Sequence, residues 1–448
     1  MGSDERILNY HQGGPTGYGC REFTVTPETK GVIKKNQAYA WNPTIAGTKC
    51  EDTTFLADNG CLLYTSQNYL DNFSLVDDNI STLLKDLIKS RRNGFMDGKM
   101  KVAVMNGIGK MGFEERDIPT PKADEVLVKL DYVGICGSDL HYYETGAIGD
   151  YVVEPPFVLG HEPGGVVVEV GEDVTHLKVG DRVALEPGKT CGHCEFCKEG
   201  KYNLCPDVVF FATPPVDGVF QEYVAHEAGL CFKLPDNVST LEGALIEPLA
   251  VGFHAAIQGD AHLGQKAVVM GAGCIGLVSL MALKARGVSE VYVVDIMDKR
   301  LEKAMELGAT GVINGAKEDV IAKVRELTGG LGTDIVIETA GTQITTSQAI
   351  HIAKKGSTIV LVGYSKTGEL TLPVSLALDK ELTFKTVFRY RHIYPLAIDA
   401  VASGKVNLKG IVTDIFPLDE AQKAMDYSVN NKADIVKAVI QINPDAEA

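Results

Sequence analysis

Positive charge is scarce in this sequence. Its 448 residues carry 43 basic and 59 acidic side chains, a formal net charge of −16. So acidic a balance excludes nucleic acid and an anionic membrane as the main partner. Long apolar runs are missing too, since none approaches the ~18 residues of a membrane span. The opening MGSDERILNYHQ has no apolar core of a secretory signal. A cytoplasmic, reducing location is therefore the expectation. Internal repeats and low-complexity tracts are absent, and ten cysteines are too few for a disulfide scaffold of this length.

What remains is a globular composition, 45% apolar and 23% charged. At roughly 150 residues per domain the length suggests about three domains. Residues 1–99 are polar and hold Trp41, the only tryptophan. Helical spacing appears there at 81–93, where Leu83, Leu84, Leu87 and Ile88 recur behind a Ser81 cap. Gly94 and Gly98 interrupt it, and MKVAVM from Met100 reads as a fresh strand, which places a domain boundary near 94–100. From 100 to 250 short strands such as EVLVKLDYVGI, GGVVVEVG and DRVALEPG alternate with turns, predicting a β-rich domain. From 251 to 390 strands alternate with helices: KAVVMGAG, CIGLVSLMALKARG, VYVVDI, KRLEKAMELG, TDIVIETAG and GSTIVLVG. That pattern predicts an α/β unit with a doubly wound parallel sheet and right-handed crossovers. Residues 391–448 return to a mixed pattern and end in the strand-like IVKAVIQI.

Gly271-Ala-Gly273-Cys-Ile275-Gly276 joins a predicted strand to a predicted helix. In that context the three glycines serve a tight turn, a close approach to a pyrophosphate and a close helix–sheet contact. An acid is expected about 20 residues on, at the end of the next strand, and Asp295 stands there. A carboxylate accepts hydrogen bonds from ribose hydroxyls and repels a 2′-phosphate, so NAD is expected over NADP. Arg300 lies close by and is the one residue that could favour the phosphate.

Five cysteines fall between 136 and 205. Four of them form Cys191-x2-Cys194-x2-Cys197-x7-Cys205. Four thiolates at such spacing wrap one tetrahedral ion, and closed sites of this kind usually hold structural zinc. Bacterial iron–sulfur runs place three residues, not seven, before the last cysteine. Buried free thiols would be odd packing in so polar a stretch.

Three further motifs offer a thiolate, an imidazole and carboxylates: Gly-Ile-Cys136-Gly-Ser138-Asp-Leu-His141, Leu-Gly-His161-Glu162-Pro-Gly-Gly, and Ala-Leu-Ile-Glu247-Pro-Leu. A catalytic zinc needs about three protein ligands and an open position. With the four-cysteine loop, FFATPPVDG, GAGCIG and VFRYR in order, residues 100–448 resemble the zinc-dependent medium-chain dehydrogenases, in the sorbitol/xylitol branch. The resemblance implies a GroES-like catalytic domain, a Rossmann domain inserted after it, and a C-terminal return to the first. It implies that Cys136, His161 and Glu162 bind catalytic zinc. Glu247 would hold a water at the ion or ligate it directly. Gly271, Gly273, Ile275, Gly276, Asp295 and Arg300 would line the cofactor. Arg389, Tyr390, Tyr142 and Thr213 would touch substrate hydroxyls, with Ser138 and His141 in a proton relay. The implied reaction oxidises a secondary alcohol of a small polyol to a ketose, with hydride transfer to NAD. Relatives of this branch are typically homotetramers, sometimes dimers. Two competing readings are a related zinc dehydrogenase acting on threonine or 2,3-butanediol, and an inactive scaffold.

Residues 1–99 lie outside that resemblance. His11-Gln-Gly-Gly, Ala-Trp41-Asn-Pro and Thr48-Lys-Cys-Glu51-Asp-Thr bear a fainter likeness to the end of a pita-bread metallopeptidase of the aminopeptidase P/prolidase kind. There Glu51 would match a metal ligand, Asn42 stands where another is expected, and the remaining ligands would lie upstream. A site lacking most of its ligands is expected to bind no metal tightly. The segment is expected to be a non-catalytic appendage.

Overall fold

The computed structural model describes residues 98–365 and 368–447, together with the backbone of short strands between Gly14 and Tyr64. The chain divides between Asp97 and Gly98. In the first unit Gly14–Pro15, Ala38–Trp41, Asp52–Ala57 and Gly60–Tyr64 make one antiparallel sheet. His11, Asn42, Glu51 and the helix expected over 81–93 lie outside the described residues.

The second unit opens with the hairpin β1 (Lys99–Gly107) and β2 (Lys110–Asp117). Its first sheet is built around β3 (Glu125–Gly134), where eight consecutive apolar-rich positions alternate across two buried faces. Helix α1 (Gly137–Thr145) follows directly. Then come β4 (Glu162–Val170), β5 (Arg182–Leu185), β6 (Tyr223–Glu227) and β7 (Cys231–Lys233). β4 and β6 flank β3 in antiparallel register, with Glu162 opposite Gly134. Close packing leaves no room for a side chain at Gly164 in β4: a Cβ there would sit 2.2 Å from the Thr240 carbonyl oxygen.

Helix α2 (Ile246–Gln258) leads into the parallel sheet. That sheet contains β8 (Lys266–Met270), β9 (Glu290–Asp295), β10 (Gly311–Asn314), β11 (Thr333–Glu338), β12 (Ala353–Leu361) and β13 (Thr383–Thr386). The strands run in the order β10-β9-β8-β11-β12-β13. This is two parallel halves with the order reversing beside β8, the arrangement that opens a ligand crevice at the strand ends. Val268, Val269, Val293, Val336 and Ile337 are fully buried, as strands covered on both faces must be. Helices α3 (Cys274–Ala285) and α4 (Asp298–Glu306) follow β8 and β9.

The sequence reading returned the chain to the β-rich domain at 391, and the structure moves that point. Helix α5 (Tyr394–Ala402) and residues up to Ile411 pack in one core with α2, α3 and the parallel strands. The return begins at β14 (Val412–Pro417), and β15 (Lys437–Gln441) then pairs with β3. Tyr394, Ala397 and Ile398 carry an apolar stripe at helical spacing, and it is this stripe that docks on α2. Among the described residues no helix is long and apolar enough to cross a membrane.

Candidate active site

Cys136 caps α1. The Asp139 carboxylate, one turn in, accepts the Cys136 N–H at Oδ2, 2.9 Å, and the Gly160 N–H at Oδ1, 2.9 Å. One buried acid thus ties the start of α1 to the loop before β4. Its Oδ1 also lies 3.6 Å from Nδ1 of His161. Burial alone would raise the Asp139 pKa, but the imidazole and the two main-chain donors hold it below its ordinary value. The result is a fixed imidazole orientation, the role that carboxylates behind metal-ligating histidines serve.

The thiol of Cys136, the ring of His161 and the carboxylate of Glu162 offer ligand atoms that all lie within 4.8 Å of one another. One soft, one borderline and one hard donor around a single point suit zinc. Glu162 is 1% exposed and paired with an equally buried cation, Lys437 of β15. The ammonium lies 2.6 Å from Oε1 and 2.5 Å from Oε2, and donates to the Ile135 carbonyl oxygen at 3.0 Å. The contact requires Gly134, since a Cβ there would stand 1.9 Å from Glu162 Oε2.

Glu247, in the first turn of α2, is buried and stands outside the close ligand set. Burial pushes its carboxyl up to about 7; the His161 imidazole opposes the rise and the Glu162 carboxylate reinforces it. Tyr390 faces it, fully buried, with no well-formed hydrogen bond at its hydroxyl. Arg389 holds a left-handed φ of 55°, a costly conformation for a side chain of this size. Its guanidinium packs 4.0 Å above the Phe210 ring, and that ring lies 5.7 Å from His161. Burial lowers the Arg389 pKa, and Nη1 is buried without a partner.

The second cluster is the four-cysteine loop, with all four sulfurs within 4.8 Å of one another. The Cys194 and Cys197 main-chain N–H groups donate to the sulfurs of Cys191 and Cys194 at 3.4 and 3.5 Å. Such bonds favour thiolates. Four of them form a closed set without an open position, the mark of a structural zinc site.

At the glycine-rich turn Gly271 has φ of 104°, and a Cβ on Gly276 would stand 1.9 Å from the Gly271 carbonyl oxygen. Asp295 Oδ2 accepts the Ala272 N–H at 2.7 Å, and Oδ1 accepts those of Ile296 and Met297. The carboxylate is thereby fixed beside the turn, with lone pairs left for ribose hydroxyls. Cys274, first residue of α3, connects the two regions. Burial pushes its thiol up to about 12, and the charges of Lys437, Glu162, Cys136 and Glu247 all act on it. The glycine-rich turn therefore lies near Cys136 and Glu162.

The alcohol dehydrogenase GroES-like domain family matches residues 122–236, and the zinc-binding dehydrogenase family matches 274–403. Sorbitol dehydrogenase from Bacillus subtilis is 44% identical over 344 residues, 77% of this chain and 98% of that protein. The chain belongs to the zinc-dependent alcohol dehydrogenases. Among solved structures, an Escherichia coli oxidoreductase/dehydrogenase of unknown specificity is 47% identical with a TM-score of 0.75, over 77% of this chain and all of that one. The 2R,3R-butanediol dehydrogenase of Bacillus subtilis is 34% identical with a TM-score of 0.71, again over 77% of this chain and all of that one.

The other expected site residues of this dehydrogenase scatter. Ser138 is half-buried two residues from Cys136, and His141 is exposed on α1. Tyr142 is buried within reach of the charges of Asp139, His161 and Arg389. Thr213 is half-buried in a turn bridged to Val216, with no described side-chain contact to the ligand cluster. Ile275 packs partly into the core. Arg300 stands at the glycine-rich turn, its Nη1 3.9 Å from where a Cβ on Gly273 would sit, while its Nη2 donates to the main-chain oxygens of Lys432 and Ile435. Sequence reasoning missed Asp139 and Lys437. Asp139 lay inside a quoted motif, three residues after the cap. Lys437 was signalled by a lone charge in the apolar run IVKAVIQI.

Proposed function

We propose that this protein oxidises a secondary alcohol of a polyol of the sorbitol, xylitol or iditol type to a ketose, with NAD as hydride acceptor. The observation that supports the reading is Cys274: it opens α3 at the glycine-rich turn, and its buried thiol feels the charges of Cys136 and Glu162. Cys136, His161 and Glu162 would hold the catalytic zinc, and Cys191, Cys194, Cys197 and Cys205 a structural one. When bound, zinc supplies Lewis-acid polarisation of the substrate hydroxyl, and NAD supplies the hydride acceptor. The polypeptide does the rest. Gly271, Gly273 and Gly276 give the dinucleotide its backbone cradle, and Asp295 meets the adenosine ribose. Glu247, poised near 7, receives the hydroxyl proton at its carboxylate. Arg389, desolvated and short of a partner at Nη1, is set to read the remaining hydroxyls. The sorbitol dehydrogenase of Bacillus subtilis at 44% identity supports a polyol.

A homotetramer, or a dimer, suits the fold. β13 ends the parallel sheet with one edge unpaired among the described residues. Phe384 on it is partly exposed, and Val374 and Leu378 just before it are well exposed. So many thiols beside zinc-type ligand sets suit a reducing, cytoplasmic setting.

The experiment is NAD reduction by zinc-loaded protein offered sorbitol, xylitol, threonine and 2,3-butanediol in parallel. Turnover on the polyols is the expected result. Turnover on threonine or butanediol alone would overturn the substrate assignment, and silence on all four would overturn the reaction.

A further inference from the structure

Glu186 is among the buried acids that reaction leaves unused. Glu186, just after β5, is 4% exposed. Its Oε1 accepts one hydrogen bond, from the Tyr202 hydroxyl at 2.8 Å. The same hydroxyl accepts the His392 N–H at 2.7 Å, and His226 Nε2 meets the Glu186 carbonyl oxygen at 2.8 Å. No cation lies within ion-pair distance of the carboxylate among the described residues. Burial pushes its pKa up to about 7, the Tyr202 hydrogen bond restraining the rise.

Glu186 forms part of the wall between two cavities. The inner one, ≈ 10 Å³, is lined among others by Glu186, Tyr202, Asn203, Arg389 and Tyr390. It has room for about one water, with several polar partners to hold it. The outer one, ≈ 440 Å³, is lined by Glu186, Tyr202, His392 and Tyr394 and opens beside the four-cysteine loop. At the inner end stands the Tyr390 hydroxyl, buried without a well-formed hydrogen bond and facing Glu247.

We propose that Glu186 is a relay residue that carries the proton released by alcohol oxidation from the Tyr390 hydroxyl to solvent. The Tyr390 oxygen takes up the proton released at the reaction site while the Tyr390 O–H proton passes to the water of the inner cavity. That water gives one of its protons to the Glu186 carboxylate, which releases it into the outer cavity. Each intervening oxygen gains one proton and loses one, so no charge rests on the tyrosine. One proton leaves for each hydride transferred. The groups facing Glu186 are suited to this. Tyr202, Tyr390 and Tyr394 have pKa values pushed above the ordinary phenol range, chiefly by burial. They therefore stay neutral, and of the three Tyr390 alone relays through its hydroxyl. His226 is held below its ordinary value by burial. Arg389 and His392 complete the surroundings.

The inference rests on the oxidation proposed above, and the experiment separates the two. Full-length, zinc-loaded protein and its Glu186→Gln variant, which keeps an acceptor for Tyr202, are mixed with NAD and polyol in weak buffer containing a pH indicator. NADH and proton release are followed together in the first turnover. In the parent protein the two are expected in step. In Glu186→Gln, proton release is expected to lag NADH by about tenfold or more, the low end of what a positioned proton-transfer group contributes. Tyr202→Phe supplies a second arm. Losing its hydrogen bond raises the Glu186 pKa, so the acid limb of kcat moves to higher pH. NADH formation with proton release still in step in Glu186→Gln would overturn the relay alone and leave Glu186 as a structural anchor for Tyr202. An acid limb unmoved by Tyr202→Phe would overturn it as well. No NADH from the parent protein would overturn the oxidation and the relay with it.

Discussion

Replacing Lys437 by methionine keeps much of the side-chain volume and deletes one charge. The deleted ammonium is 2% exposed and its carboxylate partner 1%, so neither has water to fall back on. Removing one member of a buried ion pair strands the other, at a cost of about 3–5 kcal/mol. The lost bond to the Ile135 carbonyl oxygen lies within that range. The cost depends on what else sits beside Glu162. A zinc ion at Cys136, His161 and Glu162 would itself offset the carboxylate, so the loss is expected to shrink by at least about 2 kcal/mol in zinc-loaded protein. The assay is urea unfolding of parent and variant, each with and without chelator, at matched protein concentration. A four-member cycle in chelator adds Glu162→Gln and the double variant. With no buried charge left to strand, the double variant should recover most of the loss, giving a coupling of about 3 kcal/mol. Equal losses with and without zinc would refute the shared-charge argument. A double variant as unstable as Lys437→Met would refute the ion pair as its origin.

Gly276→Ala places a Cβ 1.9 Å from the Gly271 carbonyl oxygen, so α3 must shift from the turn. NAD affinity by calorimetry is expected to fall at least tenfold while zinc content holds; parent-like affinity would remove the turn from the cofactor site. Asp295→Ala frees three main-chain N–H groups and lifts the repulsion of a 2′-phosphate. NAD binding should weaken and the preference over NADP should narrow, and an unchanged ratio of the two affinities would place specificity elsewhere. Cys205→Ser, within the four-sulfur cluster, should cost one zinc equivalent by atomic absorption and lower thermal stability. Two equivalents retained would argue against a structural ion there.

Much of this molecule is legible from local pattern. The glycine-rich turn, the cysteine spacing and the switch from short strands to alternating strands and helices each rest on neighbours within about 20 positions. The misses share a different origin. Lys437 meets Glu162 because β15 pairs with β3, setting Val439 opposite Gly134 across some 300 residues of chain. Arg300 stands by the turn, as its place five residues after Asp295 suggests, yet its Nη2 also donates to carbonyl oxygens of 432 and 435, a contact no local signal announces. The late return to the β-rich sheet was missed because the stripe on α5 is apolar in the same way whichever domain it covers.

The pairing of β3 with β15 also sets an order of events. β3, α1 and β4, which carry or flank all three candidate catalytic zinc ligands, are complete by residue 170, yet Glu162 has no counter-charge until Lys437 arrives. A chain still on the ribosome could gather the three donors but would hold a buried carboxylate alone. The four-cysteine loop has no such dependence, since its ligands span 15 consecutive positions. The two sites are thus completed at different stages: the structural one from a local segment early in folding, the catalytic one with its buried counter-charge only after the last strand has closed the sheet.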